Sequence, residues 1–559
     1  MSESDPLSDA CAALDCNSLA SIKAVVAVLD PITSQLARSK NERVLLGSND
    51  ALWTDLRKLW RDLGRSQLTF WDNDDSDDET DSGNNKNSGL RLLAASLARF
   101  TRNLVADVPQ NQLNAFENEP AIRRLLHYYT SWSSTQDSEA LLVARVLAQA
   151  LSNLVAGNES LISKLWNTYM NLPEDQAIII RLLSSPDPRI LLATLMLILN
   201  CIDASRTRIK MLTRTVVGVR ICVHLLDNMV RLYDAEDGSE GARAFDIGYD
   251  IFSRIMSVDL VPSLFNRLSM SDEIITPHQT TLLKLIDSYL QTSKLSAVPM
   301  TPQGTSLYVK LQPMLARTFF SLSSYAQNTI QDSLGISSGT TSKQPLPALS
   351  PDGSFQPPAS LDPMLPQVCE ALVLVTQCIV TITLESMDQP AGVDDQTSQD
   401  FFNEATSEDQ GVVESLTALL RLLDLFLPRI NFGKPVRGAR GGEAVAPTPT
   451  PTPTQPDGGV DGSTGFSYLK RDLVRLLGIL CHGKKAVQDR ARLCGGIEAV
   501  MNLCVIDERN PYLREHAIFT LHNLLEQNPE NQAIVEAIKP SGTWDDNGVL
   551  RDSVGAVRK

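Results

Sequence analysis

Two distant stretches of this chain are written on one pattern. Arg102–Gln112 reads RNLVADVPQNQ, and His522–Gln532 reads HNLLEQNPENQ. Each sets Asn-Leu the same distance ahead of Asn-Gln. Asn-Leu recurs at Asn153-Leu154, and Asn200 closes the apolar run Ile190–Asn200. Asp187-Pro188 precedes Asn200 by 12 residues counted from the proline, and Asn510-Pro511 precedes Asn523 by the same 12. An Asp or Asn N-cap accepts an orphan backbone N–H, and a proline after it has none to orphan. The spacing predicts helices with a common start, length and end. The step is 50 residues from Asn103 to Asn153, 47 from Asn153 to Asn200, and 44 from Ile479, at the matching place, to Asn523. Armadillo and HEAT repeats run about 40–47 residues. Such units cannot bury their apolar faces alone, and stacking covers them. The expectation is an all-α, armadillo/HEAT-like α-solenoid with long disordered loops.

The last repeat shows its parts. Lys485–Leu493 reads as a first helix, Gly495-Gly496 as a break, Ile497–Cys504 as a second helix and Pro511–Glu526 as a third. Ile497, Val500 and Leu503 fall on one side. Ala517, Leu521 and Leu524 fall at i, i+4 and i+7 on one face expected to be buried. Residues 1–71 read as an N-terminal helical segment, 90–334 as repeats, 362–432 as repeats with an acidic loop, and 541–559 as a flexible tail. Residues 72–89 open on DNDDSDDETD and read as an acidic disordered loop, where Ser76 precedes three acidic residues and suits an acid-directed kinase. Residues 335–361, rich in Ser, Pro and Gly, read as a flexible loop. Residues 433–465, with PTPTPTPT at Pro447–Thr454, read as an extended linker before a C-terminal block at 466–540.

That block carries a resemblance. Lys470-Arg471-Asp472-Leu473, Val487-Gln488-Asp489, Gly495-Gly496-Ile497, Asn510-Pro511, Arg514-Glu515-His516-Ala517-Ile518 and His522-Asn523-Leu524-Leu525-Glu526 closely resemble the C-terminal domain of the ataxin-10 family. Ile479 departs from it, standing where the family's repeat-end Asn is expected. The resemblance implies a cytoplasmic, self-associating armadillo-like protein that binds partners, is linked to cytokinesis and has no catalytic activity of its own.

Composition narrows the rest. The net charge of −16 opposes general nucleic-acid binding. Nine scattered cysteines suit a reducing compartment, without a disulfide framework. The apolar runs Ile190–Asn200 and Ala371–Leu384 fall short of the roughly 20 residues a membrane span needs, and read as buried helices. No phosphate-binding loop, dinucleotide motif or nucleophile elbow occurs. Fungal relatives of the resembled family carry a copper-transport name, yet Cys481, Cys494 and Cys504 lack the clustering that soft copper needs. No cofactor or metal is expected. The partners expected are proteins, including a second copy of the chain, with neither nucleic acid nor membrane. Asn103, Asn153, Asn200 and Asn523 fill the positions that grip peptide backbone in armadillo importers, but the Trp positions four residues earlier hold Arg99, Gln149, Met196 and Phe519. The four Asn and Phe519 are the candidate partner-binding residues, with helix C-capping as the favoured role of the Asn. A nuclear-transport-type receptor for cargo peptides is the alternative to a scaffold.

Overall fold

The computed structural model describes residues 6–68, 81–295, 302–336, 362–387, 397–427, 429–431, 434–436, 466, 468–508, 510–537, 542–544 and 550–552. It divides into two compact units, Met1–Leu268 and Ser269–Lys559.

The first unit runs α1 (Pro6–Ala12), α2 (Leu19–Arg38), α3 (Lys40–Gly47), α4 (Asp50–Leu68), α5 (Asp81–Val105), α6 (Pro109–Ala115), α7 (Glu119–Tyr129), α8 (Trp132–Thr135), α9 (Ser138–Val155), α10 (Glu159–Met170), α11 (Ile178–Leu183), α12 (Pro188–Ile202), α13 (Arg206–Arg214), α14 (Val216–Leu232), α15 (Glu240–Ser257) and α16 (Val261–Arg267). The long helices α2, α5, α9, α12 and α15 pack one on the next as a ladder. Each of α5, α9, α12 and α15 is the third helix of a repeat whose first and second helices form the neighbouring layers: α3, α6, α10 and α13 are first helices, and α4, α7, α11 and α14 are second. The apolar face of each third helix is fully buried, as Leu97, Leu147 and Leu197 show at 0% exposure. N-caps define the starts: the Asp137 carboxylate accepts from Glu139 and Ala140 N–H, and Asp187 accepts from Arg189 N–H with Pro188 at the first helical position.

The second unit runs α17 (Pro277–Leu295), α18 (Pro302–Ser333), α19 (Leu365–Met387), α20 (Ser398–Glu404), β1 (Thr406–Ser407), β2 (Gln410–Gly411), α21 (Val412–Phe426), β3 (Arg429–Asn431), β4 (Lys434–Val436), α22 (Leu469–Cys481), α23 (Lys485–Leu493), α24 (Gly496–Leu503), α25 (Leu513–Leu525), α26 (Pro529–Ala537), β5 (Gly542–Trp544) and β6 (Leu550–Asp552). The strands form three antiparallel two-stranded hairpins. Here α19, α22 and α25 are the ladder of third helices. The all-α, armadillo-like reading holds.

Several expectations are corrected. Helix α5 starts at Asp81, so 81–89 is helix and not loop. Extending a helix already fixed by a buried face is far less costly than starting one, which polar composition alone does not reveal. Ser76 and most of 335–361 and 433–465 lie outside the described residues. Lys434–Val436, assigned to the linker, pairs with Arg429–Asn431, and Gly542–Trp544 in the expected tail pairs with Leu550–Asp552. The stretch 433–465 separates the second helix of one repeat, α21, from its third, α22, so the C-terminal block begins inside a repeat. Helix α25 starts at Leu513, not Pro511: the Asn510 amide turns back to Asp507 Oδ2 at 2.9 Å, and Tyr512 takes a left-handed turn. Its buried face is Leu513, Ala517, Thr520 and Leu524, with Leu521 half-buried. Thr520 Oγ1 donates to Val474 O at 2.8 Å and presses on Gly478, where a Cβ would stand 2.4 Å from that oxygen. The Ala371–Leu384 run is part of α19, 23 residues long. By length and composition α19, α2 and α9 could each cross a bilayer; 61% of the most apolar stretch of α19 is buried within its unit.

Candidate protein-binding faces

The four repeat Asn are not caps. The C-caps of α9, α12 and α25 are Ala156, Asp203 and Glu526. Each Asn instead reaches the third helix of the preceding repeat. Asn103 Nδ2 donates to Thr33 O at 3.0 Å, Asn153 to Arg102 O at 3.1 Å, Asn523 to Gly478 O at 3.0 Å, and Asn200 to Ser152 Oγ at 3.4 Å. The acceptor in the last three sits one residue before the matching position, so Ile479 does occupy the repeat-end place. The amide nitrogen faces the ladder, and the Asn103 Oδ1 accepts from Arg102 Nε at 3.2 Å.

The Asn-Gln pairs explain the rest of the shared pattern. Asn111 donates to Leu104 O and Arg43 O, and Asn531 donates to Leu524 O and Gln488 O, both tying a first helix to the third helix seven residues back. Gln112 donates to Asn153 O at 3.0 Å and Ala156 O at 2.8 Å, closing the open C-terminus of α9. Gln488 does this for α25 through Asn523 O at 2.9 Å, and Gln399 for α22 through Ile479 O and His482 O, both at 2.9 Å. A helix leaves its last carbonyls without intrahelical partners, so a buried amide here is a repeat-defining contact. Gln532, at the matching place on α26, is exposed and folds back on Leu525 O. Arg208, 6% exposed, closes α12 by donating to Cys201 O and Asp203 O while it pairs with Glu159. Sequence reasoning missed Gln399 and Arg208; Gln488 stood in the family motif without a role.

With these residues bonded inside the fold, two surfaces among the described residues offer side chains to a partner. In the first unit a groove of about 660 Å³ crosses the third helices α9 and α12, with Arg102 on α5 and Glu240 on α15 at its edges. Arg102 and Arg145, Gln149 and Asn153, Arg189 and Asn200 are among its lining. Arg102 donates to Gln149 Oε1 at 2.5 Å and Asn103 Oδ1 at 3.2 Å. Burial, then the nearby Arg99 and Arg145, hold its guanidinium below the usual arginine range.

In the second unit, α22 and α25 present Tyr468, Tyr512, Ile518 and Phe519 to solvent. Tyr512 and Phe519 are each 69% exposed. Tyr468 and Tyr512 both precede a third helix in left-handed conformation, at φ 66°. That conformation disfavours any side chain beyond glycine, so the backbone is strained at both places. The Arg471 guanidinium lies 4.4 Å from the Tyr468 ring centroid. Arg471 also pairs with Asp472 at 2.7 Å, and Asp472 accepts from Gln377 on α19. His516, half-buried beside Arg475 and Arg471, is pushed below the usual histidine range, first by burial and then by these cations. The candidates Asn103, Asn153 and Asn200 thus lie in the first unit, and Phe519 and Asn523 in the second.

Among the described residues no group of three or more His, Cys, Asp or Glu is placed to hold a metal. None of the nine cysteines is in a disulfide, and burial pushes Cys201 and Cys369 up to about 12.

The fold and these faces define an armadillo-like α-solenoid with surfaces on its third helices. Residues 469–557 match the family described as Spinocerebellar ataxia type 10 protein domain. The ataxin-10 homolog of Dictyostelium discoideum is 41% identical over 83 residues, 15% of this chain and 14% of that protein. Ataxin-10 of Xenopus tropicalis is 36% identical over 76 residues, 14% of this chain and 16% of that protein. The homolog of Candida albicans is 33% identical over 81 residues and 18% of its length. The chain thus spans under a fifth of the length of these curated relatives. The similarity to the ataxin-10 family is confined to this C-terminal block. A solved complex of SYS-1 with POP-1 aligns over 91% of this chain and 77% of its own, at TM-score 0.26 and 11% identity. That likeness is too loose to bear on function.

Proposed function

We propose that this protein is a non-enzymatic scaffold that binds protein partners through the aromatic face of its C-terminal block. The observation that carries the reading is the pair Tyr468 and Tyr512. Each spends backbone energy in a left-handed turn to hold an aromatic ring at the start of a third helix, and Tyr512 and Phe519 are left open to solvent. Exposed aromatic rings are rigid and bury much area on contact, which is why they recur as binding hot spots. Cytokinesis as the setting, the cytoplasm as the location and self-association are proposals that rest on the family alone, as are the absence of nucleic acid and membrane among its partners. A cargo receptor for basic peptides is the less favoured reading, since the first-unit groove carries arginines.

The test is Tyr512→Gly in the full chain. Glycine relieves the left-handed strain, so stability should hold or rise by up to ~1 kcal/mol. Capture of partners from a lysate, quantified by mass spectrometry, should fall for the set retained by wild type. Unchanged partner capture by this folded variant would overturn the assignment of the face.

A further inference from the structure

We propose that the first-unit groove is a second binding site, and that it takes an extended peptide rich in Asp and Glu. It is a different surface from the C-terminal aromatic face.

The chain carries a net charge of −16, yet Arg99, Arg102, Arg145 and Arg189 gather on α5, α9 and the first turn of α12. Among the described residues none of Arg99, Arg145 and Arg189 has a carboxylate within ion-pair distance, and no internal acceptor takes their guanidinium hydrogens. Arg102 is braced from within by Gln149 and Asn103, and its neighbours make it harder to keep charged. Gathered cations of this kind repel one another, and an incoming carboxylate relieves that repulsion while gaining bidentate guanidinium contacts. Glu240, the acidic residue of the lining, sits on α15.

Shape and hydrogen bonding specify the rest. The groove runs across successive third helices, whose axes in close packing stand about 8–10 Å apart. An extended chain covers that distance in about three residues at roughly 3.3 Å each. One carboxylate per three residues therefore meets one arginine per helix crossed. Between them, the Oδ1 atoms of Asn153 and Asn200, whose Nδ2 atoms bond inside the fold, are free to accept peptide N–H. Met196, 39% exposed, offers an apolar contact between the arginines. A basic peptide meets like charge in this groove.

The experiment uses the full-length chain and fluorescence anisotropy with four labelled probes of about 12 residues or nucleotides. One peptide carries Glu or Asp at every third position, one replaces these by Lys, one by Gln, and the fourth probe is single-stranded DNA. The acidic peptide should bind, with affinity falling as salt is raised through the range where the Debye length shrinks below about 10 Å. The Arg145→Glu/Arg189→Glu double variant should weaken it by at least about tenfold. Arg206→Glu, an exposed reversal on α13 outside the groove, should change it by less than about twofold. Circular dichroism confirms that all variants are folded. Tyr512→Gly should leave this binding untouched, which separates the site from the C-terminal face. No binding of the acidic peptide, binding that survives the double reversal, or DNA or the Lys peptide binding as tightly would each overturn the proposal.

Discussion

Gln488→Ala tests the repeat architecture at one atom group. Gln488 is 2% exposed. Its amide donates to Asn523 O at 2.9 Å and, at 3.4 Å, to Glu526 O and Cys481 O, while its Oε1 accepts from Asn528 at 3.1 Å. Removing it takes two good hydrogen bonds, about 1 kcal/mol each. It also leaves carbonyls at the end of α25 without their buried donor, a further cost of about 1–2 kcal/mol. Asn528 keeps its bond to Asp489 Oδ1, so no second orphan is counted. The sum is about 3–4 kcal/mol. Gln112→Ala removes the same closure from α9, with bonds of 3.0 and 2.8 Å, and should cost as much. Gln532→Ala removes one exposed bond to Leu525 O and should cost under about 0.5 kcal/mol. Hydrogen exchange resolved by peptide is the assay. Protection over 513–525 should fall about a hundredfold or more in Gln488→Ala, and over 138–155 in Gln112→Ala. Equal effects at Gln488 and Gln532, or unchanged exchange at the two helix ends, would refute the role given to these amides.

Three further outcomes follow from the packing. Gly478→Ala should destabilise α22 against α25 by about 1–3 kcal/mol in urea denaturation, because the new Cβ meets Thr520 Oγ1, and Thr520→Ala should partly rescue it. Arg208→Met should cost about 2–4 kcal/mol in the first unit, since it strips the buried donor from two carbonyls, while exposed Glu159 keeps its bond from Ser163. His516 has a folded-state value below 6.5, so between that value and 6.5 the unfolded chain binds more protons; its contribution is whole above 6.5 and is lost as pH falls through the window. Thermal melts from neutral to acidic pH should therefore show a wild-type loss that His516→Gln reduces.

Much of the repeat was legible because its polar residues sit at fixed places. Asn103, Asn153 and Asn523 share a position because each must reach a backbone carbonyl one helix back, and a carbonyl recurs in every repeat whatever its side chain. Their function was less legible: an Asn near a helix end also suits a cap, and only the stacked helices show which bond is made. Gln399 and Arg208 carry no local signal, because a buried polar group is betrayed by its partner and the partners lie 80 residues on and seven residues back. Asn510-Pro511 imitated an N-cap because Asp507, three residues earlier, offers the Asn amide a turn instead. The arginines of the groove come from helices 40 or more residues apart, so their meeting is a property of stacking that no local pattern encodes.

The scaffold reading is tested most directly by the footprint of a captured partner. The full-length chain is purified with a partner that wild type retains and Tyr512→Gly loses, and hydrogen exchange is compared with the free chain. New protection is expected at 468–475 and 510–522, around Tyr468, Tyr512 and Phe519, with the first helices α23 and α26 unaffected. Protection confined to other parts of the chain, with 468–475 and 510–522 exchanging as in the free protein, would contradict it.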